Sequence, residues 1–114
     1  MPSIAIFNPA SLGKPLGQYS QIARVRASEF VFIAGQVATD TAGHIVGDDD
    51  FDAQCAQVFS NIKAALDSVD AGWSNIVQFT TYLVRAQDIA SSWRIADANF
   101  PACLRTAPIR PTLC

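Results

Sequence analysis

A glycine followed by a glutamine, Gly35-Gln36, closes a stretch in which apolar and polar side chains alternate. Residues 19–37 read YSQIARVRASEFVFIAGQV, and the alternation predicts two strands of a hairpin, around 22–25 and 31–33, with a turn at 27–29. A glycine at a strand end leaves backbone groups at the rim of a sheet, where a ligand can approach them. The alternative is that Gly35 only permits an unusual backbone angle. Gly35 and Gln36 are therefore the first candidates for a binding site.

The other reactive side chains indicate no metal site and no serine nucleophile. His44 lies in a predicted turn without a second histidine or a nearby cysteine, so a zinc site is not expected. The four aspartates between residues 48 and 52 lack the glutamate and the alternating spacing of a calcium loop, and we expect them to cap a helix. No G-x-S-x-G turn is present, and no serine has a histidine partner that the sequence places near it.

Composition narrows the class of protein. The 114 residues make one domain, 1–114, and only 16% are charged against about a quarter in typical soluble domains, while 50% are apolar. We expect the apolar surplus to be used in subunit association. A net charge of -2 gives no field for steering a polyanion, so nucleic acid is not an expected ligand.

Location and redox state follow from what the sequence lacks. No apolar run reaches the roughly 18 residues of a membrane span, and the first residues lack the features of a signal peptide. We therefore expect a cytoplasmic protein without a membrane partner. Three cysteines without CxxC spacing predict free thiols, namely Cys55, Cys103 and Cys114.

The remaining pattern predicts a short strand, a helix, a long strand and a second helix. Ile45-Val46 form the short strand, and apolar side chains then recur at helical spacing up to a stop at Gly72. Residues 75–84 are rich in β-branched and aromatic side chains and predict a central strand. Asp88 can cap the second helix, whose apolar stripe is Ile89, Trp93, Ala96 and Phe100. This order predicts an α+β fold with both helices on one face of an open sheet.

The same landmarks resemble the RidA/YjgF family over roughly residues 5 to 100. They are Tyr19-Ser20-Gln21, Gly35-Gln36, the helix with Gln54, Asn61 and Ile62, and the strand TTYLV followed by Asp88. The resemblance implies a chorismate-mutase-like two-layer fold with a mixed β-sheet. It also implies a homotrimer with three clefts between subunits. The best-known activity of the family is hydrolysis of imines and enamines derived from amino acids, without metal or organic cofactor.

For a site, the resemblance implies Tyr19, Ala34, Gly35, Gln36, Trp93 and Arg110 as ligand-binding residues. Ala34 replaces a serine of the family, so one hydroxyl is absent. Tyr19 has packing beside a strand as its alternative role, and the helical spacing of Trp93 favours core packing. Arg110 lies near the position of the arginine that holds the substrate carboxylate, a task that suits a guanidinium. No residue corresponds to the glutamate that holds the water.

The tail LRTAPIRPTLC departs from the family. It is not strand-like, so the final strand of the sheet is expected to be missing. A frame change in the codons for residues 106–113 would explain the departure, and Arg110 would then be an accident of that frame. Sequencing the gene beyond codon 114 tests this hypothesis.

Two functions remain open at this point. The first is a non-catalytic trimer that binds a small carboxylate-bearing metabolite, with weak or no imine deaminase activity and no assigned catalytic residue. The second is a 2-iminobutanoate/2-iminopropanoate deaminase, a hydrolase. The departures at Ala34, Trp93 and the tail favour the first. A ribonuclease label is attached to parts of the family, but the acidic charge and the single histidine give it no local support.

Overall fold

A computed structural model describes residues 3–15, 20–85, 88 and 112–113. In chain order, the described elements are two five-residue strands, one long helix, a single 3-10 turn and two short strands. They are β1 (Ser3–Phe7), β2 (Ile22–Arg26), α1 (Phe51–Ser68), the 3-10 turn Trp73–Asn75, β3 (Thr80–Thr81) and β4 (Thr112–Leu113). Within the described ranges, none of the helices combines the length and the apolar character needed to cross a membrane.

The first two strands pair with each other in antiparallel register, with Ile4 opposite Val25 and Phe7 opposite Ile22. The guanidinium of Arg24 lies 5.5 Å from the centre of the Phe7 ring, which adds a cation-π contact on the same face. The predicted hairpin between 22–25 and 31–33 is therefore wrong, because residues 27–37 form no strand. Strand β2 instead pairs with β1 over five residues, from Ser3 opposite Arg26 to Phe7 opposite Ile22.

Helix α1 begins where the aspartate run predicts. Asp50 is the N-cap, and its side chain accepts a hydrogen bond of 3.1 Å from the backbone N–H of Ala53. Asp52 lies in the first turn, where the partial positive charge of the helix end favours a carboxylate. The prediction of helix capping by this run is confirmed.

The helix ends earlier than the sequence predicts. Asp70 has a positive φ of 55°, and its N–H donates to the carbonyl of Asp67 while Ala71 N–H donates to the carbonyl of Leu66. These two bonds form a Schellman motif, which normally uses glycine. Aspartate tolerates the left-handed region well enough to replace it. The prediction that Gly72 stops the helix is wrong, and Gly72 precedes the 3-10 turn instead.

A compact turn leads into α1. The Asp40 side chain accepts hydrogen bonds of 2.9 Å from the backbone N–H groups of Ala42 and His44, and Gly43 has a φ of +83°. Thr39 and Ile45 form an isolated antiparallel bridge, which is all that remains of the predicted short strand at Ile45. His44 is exposed.

The long strand predicted over residues 75–84 is reduced to β3, and residues 76–79 form no strand. Thr80 pairs in parallel with Thr112, and Thr81 with Leu113. The tail therefore contributes a short strand that its composition does not indicate. Threonine is β-branched and fits a strand, which explains why pairing occurs at these positions. The predicted second helix lies outside the described residues, apart from Asp88, whose N–H donates to the carbonyl of Arg85.

Little of the described apolar surface is buried within one chain. Leu66 on α1 is the one buried hydrophobic residue of the described part, at 6% exposure. The rings of Phe59 on α1 and Trp73 in the 3-10 turn pack edge to face, with ring centres 6.1 Å apart. Twelve large apolar side chains of the described residues are exposed, and they are concentrated after β2. A chain with this surface gains free energy if another surface covers it.

Candidate functional site

Of the six predicted ligand-binding residues, the described part contains Ala34, Gly35 and Gln36. The other three, Tyr19, Trp93 and Arg110, lie outside the described residues. The three described residues are consecutive in the loop that follows β2, so the site is defined here by that loop.

The loop presents an open backbone at Gly35. A β-carbon built on Gly35 would meet nothing within 4 Å, so contact with the described part of the chain does not require a glycine there. The side-chain amide of Gln36 donates a hydrogen bond of 3.1 Å to the carbonyl of Ala34. This bond turns the Gln36 side chain back over its own loop and leaves the exposed Gly35 backbone accessible.

Two amide side chains of α1 hold the residues that follow Gln36. Asn61 Nδ2 donates to the carbonyls of Val37 and Thr39, at 3.1 and 3.0 Å. Gln57 Nε2 donates to the same Thr39 carbonyl at 3.2 Å and to Asn61 Oδ1 at 2.8 Å. Sequence reasoning did not assign these contacts. The available signal was the spacing of four residues between Gln57 and Asn61, which places both amides on one face of a helix.

Exposed apolar side chains flank the loop. Phe32 is 92% exposed and Val37 is 67% exposed, and Phe30, Val31 and Ile33 also lie open to solvent. We call residues 30–33 with Val37 the apolar ribbon. Large aromatic side chains at this exposure are unfavourable in water unless another surface covers them.

A second feature is an open cleft of about 320 Å³ between the start of α1 and the residues after β3. Among the described residues that line it, Arg85 is the cation and the charged groups are otherwise acidic, namely Asp48, Asp49, Asp50 and Asp88. The excess of negative charge disfavours binding of a carboxylate ligand. No group of three or more His, Cys, Asp or Glu side chains in the described ranges could hold a metal ion.

Cys55 lies on α1 beyond this cleft. Burial, followed by the charges of Asp52 and Asp88, raises the pKa of the Cys55 thiol from 9.0 to about 11. The thiolate is the reactive form, so at neutral pH this cysteine is a poor nucleophile. Of the described cysteines, Cys55 is a free thiol, as the sequence predicts.

Comparison with known proteins places the chain in a family. The Endoribonuclease L-PSP family matches residues 10–113. A RutC family protein from Synechocystis is 33% identical over 109 residues, covering 95% of this chain and 81% of the relative. A RutC family protein from Pyrococcus abyssi is 36% identical over 87 residues, covering 76% of this chain and 67% of the relative.

Solved structures support the same fold. The conserved Rid family protein YyfB from Yersinia pestis, described as of unknown function, has a TM-score of 0.75 at 24% identity, covering 96% of this chain and 81% of that one. YEO7 from yeast has a TM-score of 0.62 at 16% identity, covering 98% of this chain and 82% of that one.

Strands, helix and relatives together define a chorismate-mutase-like α+β protein. The chain belongs to the RidA/YjgF family, which is the Endoribonuclease L-PSP family of the match. The predictions of family and fold class are confirmed.

Proposed function

We propose that this protein binds a small carboxylate-bearing metabolite in clefts between the subunits of a homotrimer, with little or no imine deaminase activity. The single observation that carries the proposal is the apolar ribbon beside the open Gly35 backbone. A surface of this kind is stabilised by a second chain, and a second chain placed there forms a wall beside the Gly35-Gln36 step.

The chemistry of the described residues supports binding more than catalysis. The loop offers peptide groups at Gly35 and a side-chain amide at Gln36, and both can orient a polar ligand. Position 34 has a methyl group where a family serine has a hydroxyl, so a hydrogen bond that could strengthen in the transition state is missing. The acidic cleft lies at the start of α1, and its excess of carboxylates makes it unsuited to an anion. The proposed site is therefore the loop and not that cleft.

Titration with pyruvate tests the proposal. Pyruvate carries a carboxylate next to a carbonyl carbon, as does the product of imine hydrolysis, and pyruvamide is a neutral control of nearly the same shape. We expect saturable pyruvate binding by calorimetry, no binding of pyruvamide, and a mass of three chains by light scattering. Equal heats for both compounds, or a monomer at micromolar concentration, would overturn the proposal.

A further inference from the structure

The amide contacts between α1 and the loop after Gln36 form a closed network. Asn61 gives both protons of its NH₂ group to backbone carbonyls, and its oxygen accepts from Gln57. Gln57 in turn divides its two protons between Thr39 and Asn61. Every donor of these two side chains is therefore used, which fixes the orientation of both amides.

The backbone held by this network is tightly bent. The N–H of Thr39 donates to the carbonyl of Val37 at 2.8 Å, a turn of three residues. On its other side, Ala38 accepts from the N–H of Val46 at 2.8 Å, and Thr39 is bridged to Ile45. Helix α1 thus holds the carbonyls of residues 37 and 39, and the turn at residues 44–46 holds the carbonyl of residue 38.

We propose that Asn61 and Gln57 are positioning residues for the loop after β2 that contains Gly35 and Gln36, here called the ligand loop. They hold the carbonyls of Val37 and Thr39 against helix α1. Through the turn at residues 37–39 they set the orientation of the Gly35-Gln36 backbone relative to that helix. The inference deepens the proposed function and rests on it for the part that concerns ligand affinity. The geometric part, that these two amides order the Gly35-Gln36 backbone, stands on the hydrogen bonds alone.

A purely structural role predicts something different. Gln54, one turn before Gln57 and two turns before Asn61 on the same helix, makes a bond of the same chemistry, from its Nε2 to the carbonyl of Gly47 at 2.7 Å. That bond anchors the acidic turn and not the ligand loop. If the amides only attach α1 to its surroundings, loss of the donor at Gln54 and loss of the donors at Asn61 have the same consequences for Gly35 and Gln36.

The experiment compares Asn61→Asp with Gln54→Glu as the matched control, since each exchanges an amide donor for an acceptor of nearly equal size. Gln57→Glu is the second variant. It leaves the bond from Asn61 to the Val37 carbonyl in place, so it can be measured if Asn61→Asp does not fold. Backbone ¹⁵N-¹H resonances and amide hydrogen exchange of Gly35 and Gln36 report local order, and calorimetry reports pyruvate affinity.

We expect both network variants to shift the Gly35 and Gln36 resonances, to speed their hydrogen exchange and to weaken pyruvate binding about tenfold, the range of one or two lost hydrogen bonds. The control is expected to lower the unfolding temperature without these effects. Unchanged Gly35 and Gln36 resonances in both network variants, or equal changes in the control, would overturn the inference. If wild-type protein binds no pyruvate, the proposed function fails, while the resonances still decide whether the amides position the loop.

Discussion

The side-chain amide of Gln54 donates a 2.7 Å hydrogen bond to the carbonyl of Gly47, across the start of helix α1. Gly47 has a φ of +80°, which favours glycine, and a β-carbon there would lie 2.8 Å from the backbone nitrogen of Gln54. The turn therefore approaches the helix so closely that only a residue without a side chain fits.

Gly47→Ala should destabilise the protein. The strained backbone and the contact with helix backbone atoms are expected to lower the free energy of unfolding by about 1–3 kcal/mol, measured by urea denaturation. Gly13→Ala is the control, because a β-carbon at Gly13 meets nothing within 4 Å. Equal midpoints for both variants would show that the turn rearranges without cost.

Asp50→Ala should remove the N-cap of α1. Loss of the bond to the Ala53 N–H is expected to cost about 1 kcal/mol of unfolding free energy. Asp48→Ala removes the same charge from the same turn without removing the cap, so its effect should be smaller. If the two variants lose equal stability, then charge near the helix end matters and the cap does not.

Cys55 should react slowly with alkylating agents. With a pKa of about 11, its thiolate fraction at pH 8 is about one in a thousand. Iodoacetamide rates against pH, measured in a Cys103→Ser/Cys114→Ser background, should give an apparent pKa near 11. Asp52→Asn should lower that pKa and speed the reaction, because the Asp52 charge contributes to the shift. An apparent pKa of 9 or below contradicts the assignment.

The same shift has a defined effect on stability. The pKa of Cys55 is higher in the folded chain than in the unfolded one, so the unfolded chain loses its proton first as pH rises. The contribution of the neutral thiol is complete below about pH 9 and is lost as the pH approaches 11. Stability between these values should therefore decline less in Cys55→Ala than in the wild-type protein.

Phe32→Ser should weaken assembly. Phe32 is 92% exposed in one chain, so its replacement removes no packing within the chain, yet it removes the largest apolar contribution of the ribbon. Light scattering against concentration should show dissociation of the proposed trimer at concentrations where the wild-type protein remains associated. Lys63→Ser is the control, since its ion pair with Asp67 is exposed and contributes little. A Phe32→Ser protein that assembles like the wild type would place the interface elsewhere.

Imine hydrolysis should be absent or very weak. One missing electrostatic contributor can cost about two to three powers of ten in rate, and here position 34 has no hydroxyl. Generating 2-aminoacrylate in situ and following pyruvate release measures the activity directly. Rapid release that Arg110→Ala abolishes would make the chain a deaminase with Arg110 as its carboxylate anchor.

Local signals predicted local structure well. The aspartate run and the apolar spacing of α1 were sufficient to place the helix and its N-cap, because both effects act within a few residues. The pairing of β2 was predicted incorrectly, since alternation shows that a segment is a strand without showing its partner. Strand β2 pairs with β1 and not with residues 31–33, and the choice of partner is information that a single strand pattern does not contain.

The ligand-binding role of Gly35 and Gln36 stays a prediction. Gly35 and Gln36 came from a glycine at the end of a pattern, and the structure leaves Gly35 open. The contacts of Asn61 with Val37 join residues 24 positions apart, and they depend on how the loop crosses the helix. Polar residues at helical spacing indicate a common face, but they do not indicate which backbone carbonyls that face will meet.

The parallel pairing of Thr80–Thr81 with Thr112–Leu113 has a consequence for the order of events during synthesis. The contacts between Asn61 and Val37 can form as soon as helix α1 has left the ribosome, because both partners are already made. Strand β3 must wait for the 31 residues from Thr81 to Thr112, which take about 2–6 seconds at ribosomal rates of about 5–20 residues per second. During that interval the edge of β3 and the exposed Tyr82 and Val84 beside it are open to other chains, so a nascent chain is most exposed to misassociation there.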